Sequence, residues 1–211
     1  MKKNLSTILR AGALAALFVV GTSASAFALP IVNFGTSGTF SGGGTIILGG
    51  SGVQFTDADG TVATLVFAGD PSQSLDAPSN VQYGNMLLAV TPGQTFNGNA
   101  SANFELMVTQ TDPSAGGASF SSVLTGTVLK TNQTDFLITF SDLSATIGAV
   151  TYFIGSGGSF LLVPPAEGSL AGSTTIQGNM VASAVPEPAT MMLLGTGLLA
   201  AFRARRKKTT V

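Results

Sequence analysis

An all-β fold, an antiparallel β-sandwich of roughly eight to eleven strands, follows from three observations about this chain. Short runs of Val, Ile, Phe, Thr and Leu recur about every 8 to 14 residues, separated by Gly, Ser, Asn, Asp and Pro. Within the longer runs apolar and polar residues alternate, as in Ala102, Phe104, Leu106 and Val108 against Asn103, Glu105, Met107 and Thr109. Such a period of two gives a strand one buried and one wet face. Between the two chain ends no span keeps a helical period. A jelly-roll-like topology fits the same pattern, whereas the lack of a fixed repeat argues against a β-helix.

The elements follow in order. The first half of the domain is expected to contain strands over Ile31–Phe34, Gly38–Ser41, Thr45–Leu48, Val53–Thr56, Thr61–Phe67, Val81–Tyr83 and Met86–Val90. The second half adds Ser101–Gln110, Ser119–Lys130, Thr134–Phe140, Thr146–Ile154, Ser159–Val163 and Ser173–Val181. Asp59-Gly60 reads as a hairpin loop, since Asp and Gly suit its turn. Pro92-Gly93 suits the centre of a type II turn, because proline presets φ and glycine accepts a positive one. The run 112–117 is a longer loop between two of the longest strands. Glycine-rich 35–52 reads either as loosely ordered or as an edge hairpin, and Ser144 to Ala149 as room for a short helical turn.

Both ends carry a different chemistry. Lys2, Lys3 and Arg10 precede an apolar run from Ala11 to Val20, and small residues follow. That is the layout of a secretory signal peptide, residues 1–28, expected as an N-terminal signal helix. Ala24-Ser25-Ala26 and Ala26-Phe27-Ala28 both fit the cleavage pattern, so cut sites after Ala26 and after Ala28 remain open. The β-sandwich ectodomain is expected over 29–182 and a linker with a Pro-Glu-Pro sequence over 183–190. A C-terminal transmembrane helix is expected over 189–202, and a basic cytoplasmic tail over 203–211.

The C-terminal pieces form an ordered set. Val185, Pro186, Glu187 and Pro188 precede an apolar helix, and Arg203, Arg205, Arg206, Lys207 and Lys208 form a cationic stop. Pro186 and Pro188 prevent helix propagation and keep the segment extended. Ala189–Phe202 spans about 21 Å as a helix, against a hydrocarbon core of about 30 Å, so it is marginal as a permanent anchor. The positive-inside rule places the tail in the cytoplasm and the ectodomain outside the inner membrane.

From Val185 to Lys208 the chain resembles the PEP-CTERM sorting domain of bacterial surface proteins. The resemblance implies an exosortase-type membrane peptidase as partner, cleavage near the Pro-Glu-Pro sequence, and passage to the cell surface or extracellular matrix, often alongside exopolysaccharide. Signal peptidase, the secretion translocon and, transiently, the inner membrane are the other partners expected on the route.

Charge and residue content narrow what the ectodomain does. Its only cation is Lys130, against nine acids, which leaves a net charge of about −8. An acidic domain repels phosphate backbones, so no nucleic acid is expected. The chain has no His and no Cys, which removes imidazole triads, thiolate sites and disulfides. No cofactor and no metal are expected: Asp57-Ala58-Asp59-Gly60 opens like a calcium loop but lacks the later ligands.

Enzymatic chemistry would have to rest on carboxylates such as Asp57, Asp59, Glu105, Asp135 and Asp142. These read better as turn acids and outward strand residues. Trp is absent, only two Tyr occur, and the 14 Phe are expected mostly in the core or the signals. The reading is an exported, non-enzymatic surface or matrix protein. A glycan-binding module of the exopolysaccharide matrix and a carboxylate-based glycoside hydrolase are the alternatives.

Overall fold

The structure, a computed structural model, describes residues 30–183 and 194–201. The chain divides into two units, with the β domain forming one and the two chain ends the other. The signal helix expected over 1–28 lies outside the described residues.

Fourteen strands are found in the β domain among the described residues. They are β1 (Ile31–Ser41), β2 (Thr45–Ile47), β3 (Gly52–Thr56), β4 (Val62–Gly69), β5 (Gln73–Asp76), β6 (Ser79–Val90) and β7 (Phe96–Asp112). There follow β8 (Gly116–Lys130), β9 (Gln133–Thr134), β10 (Leu137–Phe140), β11 (Ser144–Ile147), β12 (Val150–Ile154), β13 (Ser159–Leu161) and β14 (Gly172–Ala182).

They form two antiparallel sheets. The first runs β13-β10-β8-β7-β1-β5, with β9 on β8, and the second β11-β12-β14-β6-β4-β3-β2. Strands β2, β3 and β4 are successive neighbours in the second sheet, and β7 with β8 and β11 with β12 also pair within a sheet. In a jelly roll nearly all successive strands cross to the other sheet, and the meander β2-β3-β4 with the two further hairpins departs from that order.

The sheets face each other across one core. Phe34 of β1 meets Tyr152 of β12 at 5.4 Å between ring centroids, Phe67 of β4 meets Phe104 of β7 at 5.1 Å, and Tyr83 of β6 meets Phe120 of β8 at 6.0 Å. Along β7 the inward side chains are Ala100, Ala102, Phe104, Leu106, Val108 and Gln110, all buried. Their alternation is the one visible in the sequence.

Several expected elements change at their ends. Ile31–Phe34 and Gly38–Ser41 are one strand, because Val32, Phe34, Thr36 and Phe40 keep a single inward phase through Gly35 and Gly38. The runs Val81–Tyr83 and Met86–Val90 are also one strand, joined by a bulge. Tyr83 and Met86 both point inward although three residues apart, and the ladder slips where Gly84 (φ +141°) stands. Thr146–Ile154 divides into β11 and β12 around Gly148 (φ +59°), so the room for a helical turn at 144–149 is taken by a strand and a hairpin turn. Thr134–Phe140 likewise divides into β9 and β10. The glycine-rich stretch ends as the edge hairpin β2–β3. Strand β5 has no sequence signal: Ser, Gln and Asp dominate it, and backbone pairing with β1 holds it in the sheet.

Candidate functional site

The sorting residues Val185, Pro186, Glu187 and Pro188, the basic residues Arg203, Arg205, Arg206, Lys207 and Lys208, and the cleavage residues Ala26 and Ala28 lie outside the described residues. Of the apolar segment, 194–201 is helical, and Leu194, Leu198 and Leu199 are exposed on it. Leu194 and Leu198 stand one turn apart on one face. Eight residues rise about 12 Å. Among the described residues no helix is long and apolar enough to cross a membrane.

In the β domain two of the candidate carboxylates, Asp57 and Asp135, are spoken for by backbone. Asp57 Oδ1 accepts the N–H of Asp59 at 3.0 Å and of Thr61 at 2.9 Å, closing the turn between β3 and β4. Its Oδ2 accepts the N–H of Asn97 at 3.0 Å, so the same side chain ties this hairpin to the start of β7. The Asn97 bond, with those in the turn, holds the Asp57 carboxyl below its ordinary value against a smaller desolvation. The oxygens that a calcium loop would turn toward an ion here cap peptide groups instead.

Asp135 repeats the device between β8 and β10. Its Oδ1 accepts Thr127 N–H and Val128 N–H, each at 2.8 Å, and its Oδ2 accepts the Thr127 hydroxyl. Desolvation acts to raise this carboxyl, but the Thr127 hydroxyl and the two N–H groups outweigh it and the net shift is downward.

Glu105 lies directly across from Ser121, whose N–H reaches Asp142 Oδ2 at 3.4 Å. Those two acids therefore flank one serine on strand β8, on an exposed surface. Among the described residues no group of three acids could hold a metal ion.

Two tyrosines carry the buried polar structure. Tyr152 donates to Gln110 Oε1 at 2.8 Å, and Gln110 Nε2 donates to Ser114 O at 2.7 Å. Tyr83 donates to Phe153 O at 3.0 Å, reaching across β14 at Gly178. Burial pushes both phenols up from their ordinary value, and for Tyr83 the neighbouring Tyr152 adds to the effect.

A concavity lies elsewhere. A shallow groove of about 780 Å³ lies along β6 and β14 beside Gly155. Asn80 and Gln82 project into it from β6, and Gln177 and Asn179 from β14, all exposed. In register Asn80 stands opposite Asn179 and Gln82 opposite Gln177. The bulge at Gly84 sets this arrangement, since it allows Gln82 to face out while Tyr83 and Met86 stay in the core. Phe153, directly across from Asn179 on β12, is half-buried between inward Tyr152 and Ile154. It is a phenylalanine only half-buried, where core is the default for that residue type. No sequence signal marks the amides, which come from strands nearly a hundred residues apart.

No curated protein and no solved structure matches the chain. Residues 184–207 match the model of the PEP-CTERM protein-sorting motif, which marks a chain for export and membrane-anchored sorting toward the cell surface by an exosortase.

Proposed function

We propose that this chain is an exported, non-enzymatic cell-surface or extracellular-matrix protein, whose β domain is the delivered cargo and whose C-terminal segment is the address. The signal peptide passes to the translocon and signal peptidase. The apolar segment then parks the chain in the inner membrane with its β domain outside and its basic tail in the cytoplasm. An exosortase-type peptidase cuts near Pro186-Glu187-Pro188 and releases the domain to the surface.

The observation that carries this reading is the sorting-motif match at 184–207, which begins just after β14 ends at Ala182. The order supports it physically: a proline-stiffened stretch between a folded domain and a short apolar helix stays open to a peptidase. The non-enzymatic part is supported by Asp57 and Asp135, whose carboxylates hold backbone turns.

Deleting Val185–Val211 tests the proposal. Truncated protein should leave the cell or accumulate in the periplasm without surface retention, and its surface retention at the full-length level would refute sorting. A second reading, a glycan-binding module, is favoured by the amide-lined groove.

A further inference from the structure

We infer that the groove formed by Asn80, Gln82, Gln177 and Asn179 is a binding site for a neutral polysaccharide chain. The inference rests on the glycan-binding reading of the domain and does not depend on how the protein is sorted.

Each primary amide puts two N–H donors and a carbonyl acceptor on one planar head, which matches the neighbouring hydroxyls of a sugar ring. Here four such heads share one groove without a charged residue among its lining. None of the four side chains has a hydrogen bond to another described residue, so their donors and acceptors face solvent and are free for a ligand.

Directly opposed side chains have Cβ atoms about 5 Å apart across antiparallel strands. Successive residues on one face lie about 7 Å apart along a strand. The two opposed pairs thus form a near-rectangular grid of amides, open along its length. An extended polymer of hydroxylated rings suits it better than a compact ligand does. Phe153 adds half-buried aromatic surface beside Asn179, against which the C–H face of a ring can rest. The volume of about 780 Å³ falls in the range of small-molecule sites.

The domain's own charge selects that of the ligand. Among residues 30–183 the only cation is Lys130, which ends β8 in the other sheet, and the domain's net charge is strongly negative. An acidic polysaccharide would meet net repulsion with no local cation to offset it. A neutral chain meets neither penalty.

Affinity electrophoresis of the mature protein tests this in gels containing dextran, galactomannan, xyloglucan or alginate. Retardation by at least one neutral polymer and not by alginate is the expected result. Asn80→Ala, Gln82→Ala, Gln177→Ala and Asn179→Ala should each weaken it about three- to tenfold, and the quadruple variant should abolish it. Gln82→Glu and Asn179→Asp keep the shape while removing amide donors and adding charge. They should lose retardation too, with the unfolding midpoint unchanged.

Thr39→Ala, on the opposite sheet, should bind like wild type. Retardation that survives the quadruple variant would place the site elsewhere while leaving the glycan-binding reading standing. Retardation by alginate alone would overturn the neutral class. No retardation in any gel would sink both the site and the glycan-binding reading, and the sorting proposal would be untouched, since localisation is measured separately.

Discussion

Tyr152 of β12 donates its phenol proton to Gln110 Oε1 of β7 at 2.8 Å, linking the two sheets by a polar bond inside their common core. Both residues are buried, and Gln110 in turn holds the carbonyl of Ser114. The pair is one of few polar links in a core otherwise made mainly of Phe, Leu, Val, Ile, Ala and Met. Removing the hydroxyl strands Gln110 Oε1 away from water. Tyr152→Phe should therefore cost about 1–3 kcal/mol, read as a lower urea midpoint with an unchanged slope. Gln110→Ala combined with Tyr152→Phe should cost less than the sum of the two single variants.

The same two phenols predict how the domain meets alkali. Burial raises Tyr83 and Tyr152, so the folded chain holds their protons at pH values where the unfolded chain releases them. Stability is full below the ordinary tyrosine value of about 10 and falls as pH rises above it. Chemical denaturation from pH 8 to pH 12 should show that decline. A Tyr83→Phe, Tyr152→Phe protein should start lower and decline less steeply.

Acid acts through other residues. Asp57 and Asp135 are both held below the ordinary carboxylate value, so their contribution is present above about pH 4 and is lost as pH falls through their folded values. Asp57→Asn with Asp135→Asn should lower the melting temperature at pH 7 and flatten the loss below pH 4. An unchanged acid profile would show that neither turn matters to stability.

Gly178 is where the backbone leaves no room. A Cβ there would lie 1.8 Å from Phe153 O and 3.0 Å from a ring carbon of Tyr83, whose hydroxyl bonds that same carbonyl. Gly178→Ala should cost roughly 3 kcal/mol or more, because both neighbours belong to the packed sheet. Gly60→Ala is the comparison: its Cβ would meet nothing, and only the positive φ of +82° is penalised, by about 1–2 kcal/mol. Thermal melts of the two variants should separate steric from torsional cost.

The sorting segment gives a prediction in mass. Pro186→Ala with Pro188→Ala allows the helix to propagate back into the linker. Surface protein should fall several-fold, and cell-associated protein should keep its C-terminal residues by intact-mass measurement. Wild-type-like processing would assign recognition to features other than the prolines.

Much of the β domain was legible because burial imposes a period of two. The alternation in β7 survives intact from sequence to structure, as does that of Phe136, Ile138 and Phe140 and as do the turns at Asp59-Gly60 and Pro92-Gly93, where Gly60 and Gly93 both have positive φ. Legibility failed where phase changed or chemistry was neutral. The bulge at Gly84 shifts β6 by one residue and looked like a gap between two strands. Strand β5 is polar except for Leu75 and is recruited by the backbone of β1, a contact between residues some forty positions apart. The amide groove was invisible for the same reason: Asn and Gln in strands look like solvated faces until register sets them opposite one another.

The sorting motif lies at the other extreme. Val185 to Lys208 was readable as a signal from residue order alone, and the matched segment 184–207 coincides with it to within one residue at each end. A peptidase and a bilayer act on stiffness, apolar length and charge order, and these are local properties of the sequence. Strand order, the inter-sheet bond of Tyr152 and the pairing of Asn80 with Asn179 are different in kind. They depend on which distant strands become neighbours, and that is settled by closing long loops around a common apolar interior.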